Sequence, residues 1–158
     1  MLSNKKELFK HIDQIMFMHG FMRKGEVWYK EYEEIIAILA VGKSEQTGQF
    51  GHIFGGFIKA IMEPNQDVSK DVFKHFFMTL SDYEPTDEVR ATFNLANDSY
   101  SGNERELKIE MYIEKFVLPF FERINSIQLL KEEILDNRIL KAQTKLKAMN
   151  FLEIPIGQ

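Results

Sequence analysis

Between residues 20 and 64 the chain changes from helical spacing to alternation. Val27, Tyr29 and Glu31 fall on one side of an extended segment, and Trp28 and Lys30 on the other. Alternation with aromatic and β-branched residues predicts a half-buried strand over 27–31. Residues 33–43 (EEIIAILAVGK) form a continuous apolar run, which suits a central strand but by periodicity alone also fits a buried helix. Ile35, Ile36, Ile38 and Val41 are stiff at χ1 and favour a pleated surface, and Gly42 disfavours a lengthening helix, so the run is read as a strand. Residues 44–48 (SEQTG) have turn chemistry. A third strand follows over 49–61, with Phe50, Phe54 and Ile58 alternating with Ile53, Phe57 and Ile61. Gly51, Gly55 and Gly56 inside it predict a bulge, a bend, or close approach of another group to the backbone. The plainer reading is a curved strand that accepts a crossing helix, and the sharper one is a ligand site.

Helical spacing flanks this meander. Over 4–19 the apolar positions are Leu8, Ile12, Ile15, Met16 and His19, with Asn4 and Glu7 placed as a capping box and Gly20 as a left-handed stop. Beyond the break at Pro64, the spacing of Val68, Val72, Phe73, Phe76, Phe77 and Leu80 predicts a helix capped by Asp67, although 72–80 also alternate as a strand. Residues 81–88 read as a loop. Ala91, Phe93 and Leu95 alternate over 90–96, a candidate fourth strand. A long helix is expected over 104–124, with Ile109, Ile113, Phe116, Val117, Phe120, Phe121 and Ile124 inward and a kink at Pro119. Ser126 caps another helix on Leu129, Leu130 and Ile134. A last helix spans 136–150 on Ile139, Leu140, Gln143, Leu146 and Met149, and the apolar tail 151–158 docks on the core or on a partner. The expected architecture is a single α+β domain over 1–158, an antiparallel β-meander sheet of about four strands packed against N-terminal and C-terminal helices.

Composition supports a packed globule: 158 residues, 44% apolar, 14 phenylalanines. With no cysteine, disulfide frameworks, thiolate zinc sites and a cysteine nucleophile are excluded, which fits a reducing compartment. The charged, amphipathic N-terminus reads as no signal peptide, and no apolar run approaches the roughly 20 residues needed to span a bilayer. A soluble cytoplasmic protein is expected.

Net charge is −4 with pI ≈ 5.6, which argues against nucleic acid as a partner. The charge is uneven. Residues 81–114 hold nine acids (Asp82, Glu84, Asp87, Glu88, Asp98, Glu104, Glu106, Glu110, Glu114) against Arg90, Arg105 and Lys108, a net −6 that leaves +2 for the rest.

The candidate chemistry is sparse. Gly42-Lys43-Ser44 ends like a phosphate-binding loop, but Ala37 stands where that pattern needs glycine and no helix follows. The histidines at 11, 19, 52 and 75 form no metal-binding spacing. His52 lies among the glycines of the third strand. Arg23, Lys24, Lys43 and Trp28 can converge at one end of the sheet, where a cationic rim beside an aromatic suits an anion or a base, or simply forms a solvated edge. No cofactor, metal or catalytic residue is indicated.

The run Gly20-Phe21-x-Arg23-Lys24-Gly25, then Trp28-Tyr29, an apolar strand closing on Lys43-Ser44 and a glycine-bearing aromatic strand, resembles the bacterial family called domain of unknown function 4304. Val117-Leu118-Pro119-Phe120 and the Ser126-led helix are similar to that family's C-terminal half, so that the resemblance spans residues 4–150. In the third strand the chain departs from the family, with HIFGG over 52–56 in place of an asparagine–glycine pairing. The resemblance implies an α+β domain and no established activity.

Two functions are therefore expected from the residues. The first is a cytoplasmic protein-binding module of the immunity or antitoxin type, covering a basic, toxin-like partner with Asp82, Glu84, Asp87, Glu88 and Asp98. The alternative is a small-molecule or nucleotide-binding protein or hydrolase, with a cleft around Arg23, Lys24, Trp28, Lys43 and His52. Homodimerisation through the tail is a further expectation.

Overall fold

The alternating segments pair in chain order. In the computed structural model, which describes residues 4–43, 50–69, 74–95 and 100–156, β1 (Met22–Lys24), β2 (Val27–Glu31), β3 (Ile35–Lys43), β4 (Phe50–Ile58) and β5 (Phe76–Thr79) form an antiparallel sheet in the order β1-β2-β3-β4-β5. Trp28 lies opposite Leu39, Leu39 opposite Phe54, and Phe54 opposite Met78. All four are buried, and they mark the face on which the main core forms. The other face carries a smaller cluster of Val27, Ile38 and Phe57, with Met62 and Val68 packed against it. The apolar run of β3 is thus read from both sides, as its unbroken hydrophobicity predicts.

The helices supply the other half of the main core. They are α1 (Lys5–Met18), α2 (Thr86–Phe93), α3 (Gly102–Tyr112), α4 (Leu118–Arg123), α5 (Ile127–Asp136), α6 (Arg138–Ala142) and α7 (Leu146–Phe151). Leu8 and Ile12 of α1, Ile109 of α3, Phe120 and Phe121 of α4, and Leu130 and Ile134 of α5 belong to one buried cluster with Phe54 and Trp28. Three of the predicted helix ends are present. Asn4 accepts from the Glu7 amide at 2.9 Å, Ser126 accepts from the Leu129 amide at 3.2 Å, and Gly20 closes α1 at φ +84°.

The glycine pair of β4 has a clear physical role. A Cβ on Gly55 would lie 2.0 Å from the Phe76 carbonyl oxygen and 2.6 Å from Phe77 Cα, and one on Gly56 would lie 2.3 Å from the Ile36 carbonyl oxygen. The neighbouring strands β5 and β3 themselves take the space that side chains would need. It is the protein's own backbone, not a ligand, that approaches these positions.

Four expectations are corrected. Residues 76–79 are an edge strand, not part of a helix; Phe76 and Met78 point to the core while Phe77 and Thr79 are half-exposed, and 70–73 lie outside the described residues. Among the described residues Asp67 caps no helix: its Oδ1 accepts from the Ser69 amide and hydroxyl, and its carboxylate pairs with Lys24 at 3.5 Å. Of the candidate strand over 90–96, residues 90–93 are instead the end of α2 and residue 96 lies outside the described residues; Pro85 precedes this helix, Asp87 and Glu88 sit in its first turn beside the helix dipole, and Val89, Thr92 and Phe93 bury at helical spacing. The third strand ends at Ile58, and a short 3₁₀ turn covers Lys59–Ile61.

The long helix does run from 102 to 123, but it passes through a π turn over Ile113–Val117, where the Leu118 amide donates to the Ile113 carbonyl. Pro119 follows at once. A proline ring lacks an amide hydrogen and collides with the carbonyl four residues back, and the π turn falls on the residues just before it. The expected last helix breaks between α6 and α7, where Thr144 bridges to Phe76 and the Gln143 side chain donates to the Phe77 carbonyl at 3.0 Å. Ile139, Leu146 and Leu129, expected inside, are exposed. Leu152 and Ile154 of the tail are buried in the main core, while Ile156 stays outside.

Replacing Gly55 by alanine is expected to cost about 2 kcal/mol or more, since a methyl group has no room against a backbone carbonyl. Urea unfolding of Gly55→Ala measures it, and a stability equal to wild type would show that β5 does not press on β4 as described.

Candidate functional site

The expected cationic rim is divided between the two faces of the sheet. Arg23 and Trp28 meet on the main-core face, held by Asp13 of α1. The Trp28 indole N–H donates to Asp13 Oδ1 at 2.8 Å, and Arg23 Nε donates to the same oxygen at 2.8 Å. The guanidinium also donates to the Gly25 carbonyl at 3.2 Å and lies over the rings of Phe9 and Trp28. Every strong donor here has an internal acceptor, so the cluster fastens α1 to the β1–β2 hairpin. Lys24 points the other way, to Asp67. Ser69's hydroxyl and amide, with Lys24 nearby, hold that carboxyl below the usual range. Lys43 ends β3 opposite Phe50, and its side chain lies outside the described residues.

His52 faces the main core from β4, opposite Val41, and stacks on Phe93 of α2 with ring centroids 4.6 Å apart. It is 8% exposed, and its Nδ1 is buried without a hydrogen-bond partner. Burial lowers its pKa to about 4. His75 is used differently: its Nδ1 accepts from the Ile58 amide at 2.9 Å, its own amide donates to the Gly56 carbonyl, and its carbonyl accepts from the Lys145 amide. Among the described residues no group of three or more histidines, aspartates or glutamates is placed to hold a metal ion.

The acidic residues also separate by role. Asp82 is committed to structure: it accepts from the Thr79 amide at 2.9 Å and from Gln143 Nε2 at 3.2 Å. Glu84 is half-buried, Asp87 and Glu88 are exposed in the first turn of α2, and Asp98 lies outside the described residues. Arg105, one of the three bases in the charge sum of residues 81–114, is 2% exposed. Its NH1 donates to the carbonyls of Ala91, Thr92 and Asn94 at 3.2, 2.8 and 2.8 Å. A cation there satisfies the carbonyls that end α2 and complements the helix dipole. It also removes one positive charge from the acidic segment's surface and sets α3 against α2.

What α3 turns outward was not legible as a site. Leu107 is 64% exposed and Met111 37%, one helical turn apart, with Glu104 and Glu114 exposed and Glu110 half-exposed around them. His11 of α1 lies against this helix, its Nε2 3.1 Å from the Glu106 carbonyl and 3.6 Å from the Glu110 carboxylate. A depression of about 410 Å³ is lined by Leu107, Glu110, Met111, Glu114 and Lys115. A second, of about 640 Å³, is lined by His19, Glu114, Leu118, Pro119, Glu122 and Arg123. The signal available in the sequence was two apolar residues, Leu107 and Met111, off the inward stripe of the long helix.

Compared with known proteins, the chain matches no family model, no curated protein and no solved structure. The resemblance to domain of unknown function 4304 rests on its short motifs alone. No helix among the described residues is long and apolar enough to cross a membrane.

Two stability outcomes follow from this geometry. Asp13→Ala leaves the buried indole N–H without its acceptor and is expected to cost about 2 kcal/mol in urea unfolding; a loss within error of zero would remove Asp13 from its role as fastener. For His52, the folded pKa of about 4 lies below the ordinary 6.5, so between these values the unfolded chain binds more protons. Its contribution is then fully present above about pH 6.5 and is lost as the pH falls towards 4, a change of about 3 kcal/mol. His52→Gln should flatten the stability profile by that amount over this window, and parallel profiles would contradict it.

Proposed function

We propose that this chain is a cytoplasmic protein-binding module of the immunity or antitoxin type, which covers a cationic surface of another protein with the outward side of α2 and α3. The observation that carries this is the apolar pair Leu107 and Met111 set among Glu104, Glu110 and Glu114. Apolar side chains left in water within a polar rim mark interaction surfaces. The rim selects the partner's charge and speeds encounter with it. Exposed Asp87 and Glu88 at the start of α2 add to the same field, whereas Asp82 is occupied inside the fold.

A cleft around His52 is the second reading. The orphaned Nδ1 favours it, since a buried polar atom of this kind accepts or donates to whatever enters. Against it stand the filled space at Gly55 and Gly56 and the engagement of Arg23 and Trp28 with Asp13.

Pull-downs from the native host with the wild-type chain and a Glu104→Lys, Glu114→Lys double variant test the first reading. A partner should be retained at low salt, weakened at raised salt, and reduced on the order of tenfold by the double variant, whose circular dichroism is unchanged. If no protein is retained, or both chains retain the same amount, the acidic face is not a binding surface.

A further inference from the structure

We infer that the element received on this face is a basic amphipathic α-helix laid along α3 and α4, an inference that rests on the protein-binding reading above. The two depressions share Glu114, so they adjoin, and together they are the groove of this proposal. From Leu107 to Arg123 the host helix, continuous through its π turn, extends about 24 Å. That length matches a segment of four to five turns, and not a loop tip or a single side chain.

The spacing of the groove residues also fits a helix. Leu107, Met111 and Glu114 step by four and three along the host helix, up to the start of its π turn. This is the spacing of a coiled-coil seam, which meets a facing helix whose apolar residues repeat in the same way. Glu114, the one carboxylate in that row, calls for a lysine or arginine at the facing position and so fixes the register. Met111 is unbranched and adapts to the shape of an incoming side chain.

Charge decides among occupants. Glu104, Glu110, Glu114 and Glu122 line or flank the groove against Lys115, and Arg123 is paired with Glu133 at 3.2 Å. A second copy of this chain would present like charge to like charge on this face, and an anionic lipid surface would be repelled. A helix with an apolar stripe between rows of lysine or arginine satisfies both parts of the groove.

The test uses three synthetic peptides of about 18 residues, enough for the length of the groove. The first carries leucine at seam spacing and lysine on its flanks. The second has the same composition with a central proline, and the third has glutamate for lysine. In fluorescence anisotropy with the whole chain, the lysine peptide should bind, and the proline and glutamate peptides should bind at least about tenfold more weakly. Leu107→Asp and Glu114→Lys should each weaken the lysine peptide by about tenfold, and Glu114→Gln, which keeps the side chain's shape, by less. Equal binding of the lysine and proline peptides would overturn the helix, as would no binding or indifference to the groove variants. A host partner lost on Glu104→Lys, Glu114→Lys while the lysine peptide fails to bind would leave the binding function standing and refute only its helical occupant.

Discussion

Three backbones meet at Gly55 and Gly56 more closely than any side chain would permit, and much of the molecule is arranged by that contact. β5 docks on β4 because Gly55 yields to the Phe76 carbonyl. Once β5 is seated, His75 ties its entry to Ile58 and Gly56, and Thr144 and Gln143 close on its outer side. The break between α6 and α7 is thus a product of sheet pairing: the segment that would have been helix supplies partners to an edge strand. An edge covered in this way offers no template to another chain. The opposite edge, β1, is short and carries Arg23 and Lys24, a second means to the same end.

Polar groups are distributed by what their burial would cost. A buried donor or acceptor left unpaired costs about 1–3 kcal/mol, whereas an exposed ion pair contributes about 0–1 kcal/mol. The indole N–H of Trp28 and the NH1 group of Arg105 are accordingly satisfied inside, by Asp13 and by the carbonyls that end α2. Charges left on the surface, such as Glu104 and Glu114, add little to the fold. They are the ones free to act on something else. His52 departs from this rule, and its neutrality is maintained by burial alone.

The sequence was legible wherever local signals agreed. Alternation with stiff β-branched residues gave β2 and β3, and Asn4, Gly20 and Ser126 gave helix ends, because in each case the deciding interaction lies within a few residues. It misled over 76–79 and 90–96, where a short apolar segment satisfies both periods and only a distant partner chooses between them. For β5 that partner is Gly55 and Gly56, some twenty residues earlier, and for α2 it is Arg105 on the following helix. The expected cluster of Arg23, Lys24, Trp28 and His52 met the same limit. Neighbours in a strand point to opposite faces, so Arg23 and Lys24 part company, and Asp13, which fastens two of the set, comes from another element.

What the amino-acid order by itself determined was the α+β class, the antiparallel meander, the helix caps and the acidic bias of residues 81–114, all of which depend on short-range geometry or on simple summation of charge. Tertiary structure alone decided which charges remain outside. Asp82 and Arg105 were drawn inward by carbonyls and amides far along the chain, and Leu107 and Met111 were left in water because the inner face of their helix was already filled. Whether a side chain is consumed by the fold or left for a partner depends on which distant groups reach it, and only the packed structure specifies that.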